Sequence, residues 1–270
     1  MEFYGLLGEK LSHSISPEIH QEVFSLLNIE GAYKIFEVDK EDLGKFIDGL
    51  KVLKIKGSNV TIPYKQEIMK YLDFISPEAE KIKAVNTILL KDSKLYGYNT
   101  DYFGFGTIID KNNVKVQDEI AVVLGTGGAS KAVVTYLLDK GIKKLYLVSR
   151  SKKAISDYED LRVDYITYEE IKDIKGDILI NTTPVGMYPK VGESPVNENV
   201  INNFSTLIDI IYNPRKTKFL EIGKALNKKV CGGLEMLVGQ AIKSEEFWQG
   251  ISISDTVMNK VYEDVNEQFK

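Results

Sequence analysis

Hydrophobic and polar positions in the first hundred residues alternate in short segments, with longer amphipathic segments between them. Alternation predicts half-buried strands, whereas apolar residues at every third or fourth position predict helices. The pattern predicts a helix at 17–27, with Ser16 as its N-cap residue and Pro17 at the first helical position. It also predicts a helix at 41–50, strands at 3–7, 33–38 and 57–61, and a hairpin of 85–90 with 95–98.

The pattern changes after residue 118, where near-continuous apolar runs replace the alternation. Such runs are typical of parallel strands that are buried on both faces. Strands are predicted at 119–124, 144–148, 164–166, 177–180 and 206–210, with helical stretches between most of them. This order predicts an α/β protein whose second part is a Rossmann-type, doubly wound parallel sheet.

These elements favour a division of the chain into three regions. An N-terminal α/β domain spans 1–101, and the doubly wound domain spans 102–235. Helices predicted at 234–248 and 254–269 define a C-terminal region at 236–270. We expect these C-terminal helices to pack back on the first domain.

The composition argues against several classes of protein. The 270 residues are 43% hydrophobic and 27% charged, with a net charge of −4, and no stretch concentrates lysine and arginine as a nucleic-acid surface requires. No apolar run reaches the roughly 18 residues of a membrane span, and the N-terminal residues lack a signal-peptide pattern. One cysteine, Cys231, and two histidines, His13 and His20, argue against an internal disulfide and a transition-metal site. We therefore expect a cytoplasmic protein that binds neither nucleic acid nor a membrane. We also expect a monomer or homodimer.

Polar residues gather near the ends of the first predicted strands. Asn59 and Thr61 lie on one face of a strand because side chains alternate, and Lys65 follows just beyond it. Ser14 and Ser16 precede the first helix, whose N-terminus attracts anions. Amide, hydroxyl and ammonium groups together suit a ligand that is rich in oxygen and carries a carboxylate. The alternative for Ser16 is that it only caps the helix.

Two further polar segments, 86–87 and 97–101, lie at the ends of the predicted hairpin strands. They contain Asn86 and Asp101, and Asp101 stands where the first domain gives way to the second. Taken alone, Asp101 would be interpreted as a helix N-cap, which is a common role for aspartate.

A glycine-rich turn follows the first of the buried strands and precedes a predicted helix. It consists of Gly125, Thr126, Gly127, Gly128 and Ala129. In this context the first glycine permits a tight turn, and the next lets the backbone approach a pyrophosphate over the helix N-terminus. The turn does not match the strict six-residue dinucleotide fingerprint, so an ordinary strand-to-helix turn is the alternative.

The end of the following strand distinguishes between the two nicotinamide cofactors. NAD-binding folds place an acidic residue there to hold the ribose hydroxyls. This chain instead has Ser149, Arg150, Ser151, Lys152 and Lys153. Because a guanidinium can bind a 2′-phosphate, Arg150 predicts NADP(H), with a solvated basic loop as the alternative.

Taken together, these segments resemble the shikimate dehydrogenase family. The resemblance runs in order from about residue 5 to residue 250, which is nearly the whole chain. It rests on residues 5–8 (GLLG), 11–17 (LSHSISP), 59–65 (NVTIPYK), 84–87 (AVNT), 97–101 (GYNTD), 125–129 (GTGGA), 181–187 (NTTPVGM), Asp209 with 212–214 (YNP), and 233–241 (GLEMLVGQA).

The resemblance implies reversible, NADPH-dependent reduction of 3-dehydroshikimate to shikimate in aromatic amino-acid biosynthesis. Lys65 matches the catalytic lysine of the family, and Asp101 matches its partner aspartate. The residues that match substrate contacts are Ser14, Ser16, Asn59, Thr61, Lys65, Asn86, Asp101, Tyr212 and Gln240. The residues that match cofactor contacts are Gly125, Thr126, Gly127, Gly128, Ala129, Ser149, Arg150, Ser151, Lys153, Thr182, Met187, Ile210 and Gly233.

The chain departs from the family pattern at a few positions. Lys10 stands where a proline is usual, and serines flank Arg150 where asparagine and threonine are commonest. Glu235 replaces a small residue near the cofactor end, and the sequence offers no physical account of it.

Several functional alternatives remain open at this point. Lys65 can transfer the proton while Asp101 orients it, or act only as a positive charge that stabilises a developing alkoxide. The enzyme can also be a quinate/shikimate dehydrogenase that uses NAD(P), although Arg150 argues against a preference for NAD. A non-catalytic NADP-binding regulator would be expected to have lost the lysine or the aspartate, and an interaction protein would not need such a polar cluster.

Overall fold

A computed structural model describes residues 1–11, 14–151 and 158–268 of the chain. The described residues form two compact units. The first comprises Met1–Gly104 and Val238–Gln268, and the second comprises Phe105–Leu237. No described helix is both long enough and apolar enough to cross a membrane.

The first unit is built on a mixed sheet of six strands, with helices between and after them. In chain order its elements are β1 (Glu2–Gly8), α1 (Ser16–Leu27), β2 (Gly31–Glu37), α2 (Leu43–Val52), β3 (Gly57–Val60), β4 (Phe74–Ile75), α3 (Pro77–Ile82), β5 (Thr87–Lys91), β6 (Lys94–Tyr98) and the first turn of α4 (Thr100–Lys111), which continues into the second unit. The strand order is β2-β1-β3-β5-β6-β4. The strand β1 pairs in parallel with β2 and β3, whereas β5 pairs antiparallel with β3 and β6.

The predicted hairpin is confirmed, because β5 and β6 pair directly. Asp92 and Ser93 connect them with φ angles of 50° and 61°. Positive φ at both central residues is the conformation of a two-residue type I′ turn, which matches the twist of the strands.

The prediction that Ser16 is the N-cap of α1 is wrong. The helix begins at Ser16 itself, so Pro17 is its second residue, and Ile15 occupies the cap position with φ −93° and ψ 8°. No side chain caps this end of the helix. The hydroxyl of Ser16 is therefore not occupied by a capping bond.

The second unit contains a six-stranded sheet that is parallel throughout. Its elements are β7 (Ile120–Leu124), α5 (Gly128–Asp139), β8 (Lys144–Ser149), β9 (Val163–Thr167), β10 (Ile178–Asn181), α6 (Glu198–Asn202), β11 (Thr206–Asp209), α7 (Lys218–Ala225) and β12 (Lys229–Cys231). The strand order β12-β11-β10-β7-β8-β9 reverses direction between β7 and β10. This order confirms the predicted doubly wound fold, and such sheets bind ligands beyond the carboxyl ends of the strands at the reversal.

Two helices, α8 (Leu234–Gln249) and α9 (Asp255–Gln268), complete the chain. From Val238 onwards these helices belong to the first unit. Within that unit, the ring of Trp248 lies 5.0 Å from the ring of Tyr4, and its indole N–H donates to the carbonyl of Ile88 at 2.8 Å. This packing anchors α8 on the sheet.

Trp248 packs so closely against β3 that no side chain fits at Gly57. A Cβ atom at Gly57 would lie 2.2 Å from Nε1 of Trp248, so the indole must move and weaken its bond to Ile88. We expect Gly57→Ala to lower the free energy of unfolding by about 1–3 kcal/mol, as overpacking of a core does. Urea denaturation followed by fluorescence measures this, because Trp248 is the one tryptophan of the chain.

Gly49→Ala in α2 is the matched control. No atom lies within 4 Å of a Cβ at Gly49, so alanine there should raise the free energy of unfolding by about 0.4–1 kcal/mol. A Gly57→Ala protein as stable as the unmodified one would contradict the packing described for Trp248.

Candidate active site

Lys65 and Asp101 form a direct ion pair in the first unit. Lys65 lies in the turn that follows β3, and Asp101 lies in the first turn of α4, directly after β6. Nζ of Lys65 donates to Oδ2 of Asp101 at 2.6 Å. The side chains of Lys65 and Asp101 are 26% and 14% exposed, so the ion pair is mostly buried but accessible to solvent. Since α4 begins at Thr100, Asp101 is not the N-cap residue, and its carboxylate serves the lysine instead.

Asn59 is held in a buried hydrogen-bond network beside this pair. The antiparallel register of β3 and β5 places Asn59 opposite Thr87. The amide nitrogen of Asn59 donates to the hydroxyl of Thr87 at 3.1 Å and to that of Ser244 at 2.9 Å. Ser244 lies on α8, which has no sequence motif that predicts this contact.

Asn86 connects the network to the start of α4. Its Oδ1 accepts from the backbone N–H of Thr100 at 2.7 Å and from the hydroxyl of Thr100 at 3.1 Å. Its Nδ2 donates to Oε1 of Gln240 at 3.5 Å. Because Asp101 follows Thr100 in the chain, these bonds also fix the backbone that carries the carboxylate.

The hydroxyls of Ser14, Ser16 and Tyr33 extend this network. The hydroxyl of Ser14 donates to that of Ser16 at 3.1 Å, and the phenol of Tyr33 donates to Oδ1 of Asn59 at 2.7 Å. Burial raises the pKa of Tyr33 well above its ordinary value, the charge of Glu245 raises it further, and a hydrogen bond with Ser16 opposes the shift. The sequence analysis missed Tyr33, since tyrosine is common in strands for packing reasons alone.

His20 and Glu245 form a buried pair behind Tyr33. Nδ1 of His20 lies 2.6 Å from Oε1 of Glu245, and the His20 ring stacks on the Tyr33 ring with centroids 4.3 Å apart. His20 is buried and its ring also lies 5.2 Å from the ring of Trp248. Among the described residues, no group of three or more histidine, cysteine, aspartate or glutamate side chains could hold a metal ion.

The remaining residues that match substrate contacts have simpler surroundings. Thr61 is half-buried just after β3, where its backbone N–H donates to the carbonyl of Leu7 at 2.9 Å. Tyr212 is half-buried in the second unit, in the segment after β11. Burial raises the pKa of Tyr212 above its ordinary value.

The second unit contains a cavity of about 660 Å³ at the carboxyl ends of its central strands. Of the residues that match cofactor contacts, six line it: Gly125, Thr126, Gly127, Ser149, Arg150 and Thr182. Six further residues line the cavity and were not predicted from the sequence: Val148, Tyr168, Thr183, Pro184, Val185 and Pro195. Most of these are ordinary apolar or loop residues, and only the fold brings them together.

The backbone of this cavity suits a large anionic ligand. Gly125 has a φ of 101°, and a Cβ there would lie 2.9 Å from Cγ2 of Thr183, so glycine is required by conformation and by space. Gly127 precedes α5, and a Cβ at Gly127 or Gly128 would meet no atom within 4 Å. Open space before a helix N-terminus is what a phosphate group needs.

The other residues that match cofactor contacts lie around the cavity or outside it. Ala129 is in the first turn of α5, and the carbonyl of Ser151 accepts from the hydroxyl of Ser149 at 2.6 Å. Met187 is 44% exposed, whereas a Cβ at Gly233 would lie 2.1 Å from the carbonyl oxygen of Ile210. Lys153 lies outside the described residues.

Two charged residues of this unit have contrasting surroundings. Arg150 is exposed at the cavity, and no described carboxylate forms an ion pair with it. Glu235 is half-buried and accepts a hydrogen bond from Nδ2 of Asn112 at 2.9 Å, while burial raises its pKa. The structure thus gives Glu235 a partner, which the sequence could not identify.

Comparison with known proteins gives one consistent result. A family model described as shikimate dehydrogenase substrate binding domain matches residues 6–88. A shikimate dehydrogenase (NADP(+)) of Clostridium beijerinckii is 66% identical over 270 residues, which cover 100% of both chains. The crystal structure of shikimate dehydrogenase 1 from Peptoclostridium difficile is 56% identical, with a TM-score of 0.90 and coverage of 100% of this chain and 99% of that one.

A more distant solved structure is similar over the same length. Shikimate 5-dehydrogenase from Thermus thermophilus, in complex with NADP(H) and shikimate, is 29% identical, with a TM-score of 0.87 and coverage of 98% of this chain and 99% of that one. The identity of 66% over the full length of both chains, together with the matching fold, establishes the family of this chain. The chain belongs to the shikimate dehydrogenase family.

Proposed function

We propose that this protein catalyses the reversible, NADPH-dependent reduction of 3-dehydroshikimate to shikimate. The observation that carries the proposal is the contact of 2.6 Å between Lys65 and Asp101, beside a network of fixed amide and hydroxyl groups. Relatives that share the full length of the chain are shikimate dehydrogenases, which supports the same activity.

Lys65 transfers the proton in this mechanism, and Asp101 orients Lys65. NADPH, when bound, supplies a hydride to the carbonyl carbon. The carbonyl oxygen must gain a proton, which Nζ of Lys65 donates during reduction and accepts during oxidation. The carboxylate of Asp101 orients the ammonium group. Because the Lys65 side chain is 26% exposed, it can recover its proton from solvent.

Groups of fixed orientation hold the substrate in this proposal. Shikimate carries a carboxylate and several hydroxyl groups, and the paired hydroxyls of Ser14 and Ser16 at the N-terminus of α1 suit the carboxylate. Amide and hydroxyl groups suit the substrate hydroxyls, and those assigned to them are Asn59, Thr61, Asn86, Tyr212 and Gln240. Hydrogen bonds within the first unit fix the positions of Asn59, Asn86 and Gln240 before the substrate arrives, which reduces the entropy cost of binding.

The cavity of the second unit would hold NADP(H). Its fit rests on the open space before α5 and on an arginine that lacks a described carboxylate partner. The glycine turn would bind the pyrophosphate through its backbone, and Arg150 would bind the 2′-phosphate. Ile210, Met187 and Gly233 would lie near the nicotinamide end.

We place the enzyme in the cytoplasm as a monomer or homodimer. A reducing compartment suits a chain with one cysteine, Cys231, which is buried. The three regions of the chain would act as a substrate domain (1–101), a cofactor domain (102–235) and C-terminal helices that return to the first domain (236–270).

The assignment of Lys65 predicts a large loss of turnover on its removal. Lys65→Ala should lower kcat for shikimate oxidation at least about 100-fold, the usual contribution of a general acid-base group, with a smaller change in KM. Steady-state assays of NADP⁺ reduction measure both constants. Lys70→Ala is the control, because Lys70 is an exposed lysine that contacts Glu67 and the ring of Tyr71.

A second variant separates proton transfer from simple charge stabilisation. Arginine keeps the positive charge but does not release a proton in proteins, so Lys65→Arg should be nearly as inactive as Lys65→Ala. Substantial activity in Lys65→Arg would favour a purely electrostatic lysine, and normal turnover in Lys65→Ala would refute the assignment altogether.

Arg150 predicts the choice of cofactor. Arg150→Ala should raise the KM for NADPH about 10- to 100-fold, the value of a hydrogen bond between charged groups, because the 2′-phosphate loses its partner. The KM for NADH, which has no 2′-phosphate, should stay nearly constant and serves as the internal control. An unchanged KM for NADPH would remove Arg150 from the cofactor site.

Reduction of NADP⁺ with quinate, compared with its reduction with shikimate, tests the alternative function. A quinate/shikimate dehydrogenase would oxidise the two substrates at comparable rates.

A further inference from the structure

Asp209 and Asn181 are the last residues of two neighbouring strands, β11 and β10. The parallel register places them directly opposite each other at the carboxyl edge of the sheet. Both side chains are completely buried, and neither is among the residues that line the cavity. Burial of a carboxylate costs free energy unless hydrogen bonds compensate for the hydration that it loses.

The carboxylate of Asp209 accepts three hydrogen bonds. Its Oδ1 accepts from Nδ2 of Asn181 and from the backbone N–H of Ile211, both at 3.1 Å. Its Oδ2 accepts from the hydroxyl of Thr217, just before α7, at 2.7 Å. The carboxylate therefore fixes the backbone that leaves β11 at residues 210–211.

Asn181 extends the same network into the wall of the cavity. Its Oδ1 accepts from the backbone N–H and the hydroxyl of Thr183, at 3.0 and 2.7 Å, and its Nδ2 also donates to the carbonyl of Val185 at 3.3 Å. Thr183 and Val185 line the cavity. Bonded on both sides, the Asn181 amide can adopt one orientation only, which Asp209, Thr183 and Val185 fix together.

We propose that Asp209 is a positioning residue for the cofactor, which holds the turn after β10 and the turn after β11 in the arrangement that binds NADP(H). The inference rests on the proposed function. It differs from a purely structural role, because loss of Asp209 would weaken cofactor binding more than substrate binding. The residues assigned to the substrate carboxylate and hydroxyls belong mostly to the first unit.

The ionised form of Asp209 is the form that accepts all three bonds. Burial raises the pKa of Asp209 from its ordinary value of 3.8 to about 6, against the opposing effect of its three donors. The groups that face it are neutral: the Thr217 hydroxyl, the Asn181 amide and the Ile211 N–H. Protonation converts one acceptor oxygen into a donor and weakens the remaining bonds, since hydrogen bonds to an ionised group are stronger.

Stability and cofactor binding should consequently respond to pH in opposite directions. Since the folded protein holds this proton more tightly than the unfolded chain, the contribution of Asp209 to the free energy of unfolding is present below about pH 4 and is lost as the pH rises through about 6. Cofactor binding should instead improve over the same range as the carboxylate forms. A merely structural carboxylate would not strengthen cofactor binding while it weakens the fold.

The test compares Asp209→Asn with the unmodified protein by NADPH fluorescence titration and steady-state kinetics from pH 5 to 8. At pH 8 we expect the variant to bind NADPH about tenfold more weakly, as the loss of hydrogen bonds to a charged group predicts, with the KM for shikimate changed less than about twofold. The 2′-phosphate itself titrates near a pKa of about 6, so the difference between the two proteins, measured with the same cofactor, isolates Asp209. That difference should shrink as the pH falls below 6.

Variants of Thr217 provide the matched pair. Thr217→Val removes one donor to Asp209, whereas Thr217→Ser keeps the hydroxyl and should behave like the unmodified protein. Thr217→Val should weaken NADPH binding by less than Asp209→Asn does, and it keeps the inference testable if Asp209→Asn does not fold.

The outcomes distinguish this inference from the proposed function. If the unmodified protein binds NADPH and Asp209→Asn binds it equally well at pH 8, the inference is overturned and the proposed function stands. Equal increases in the Kd for NADPH and the KM for shikimate also overturn it, since they indicate a general structural role. If the unmodified protein binds no NADPH, the proposed function fails, and the inference fails with it.

Discussion

The buried amides of Asn59 and Asn86 need hydrogen-bond partners for their oxygen and nitrogen atoms, and this requirement joins the elements that carry Lys65 and Asp101. Asn59 and Asn86 meet it through Thr87, Thr100, Ser244 and Gln240. Asn59 joins β3 to β5 and to α8, and Asn86, the residue before β5, joins that strand to α4 and to α8. Polar side chains that satisfy one another in this way permit one arrangement, because any slip would leave a buried group without a partner. The position of Asp101, and therefore its contact with Lys65, follows from the anchoring of Thr100.

The same requirement operates in the second unit with a carboxylate at its centre. Burial raises the pKa of Asp209 to about 6, and hydrogen bonds from Asn181, Ile211 and Thr217 oppose that rise. Its location at the carboxyl edge of a parallel sheet is the place where doubly wound folds bind their ligands. In both units, then, buried polar groups behind the exposed site residues set the geometry that the exposed residues present. Substitution of the buried groups should change binding constants even though they do not contact a ligand.

Local pattern was sufficient for much of the fold and for the residues nearest the chemistry. Alternation predicted β3, paired turn residues fitted the hairpin, and the glycine turn after a buried strand predicted the cavity lined by Gly125 and Arg150. The contacts of Ser244 and Glu245 could not be predicted, since they join residues separated by 185 and 225 positions in the chain. The cap assignment for Ser16 failed because the helix starts one residue earlier than its proline suggested. Tyr33 was missed because its role depends on the neighbours that the sheet brings to it.

In the proposed mechanism, Lys65 exchanges a proton with the substrate oxygen and Asp101 orients the ammonium group of Lys65. The decisive measurement is a crystal structure of the protein with bound shikimate and NADP⁺. We expect one shikimate hydroxyl within about 3.2 Å of Nζ of Lys65, with Nζ still bonded to the carboxylate of Asp101 and the carboxylate of shikimate at Ser14 and Ser16. Shikimate bound with every hydroxyl beyond hydrogen-bond distance of Lys65 would refute this mechanism.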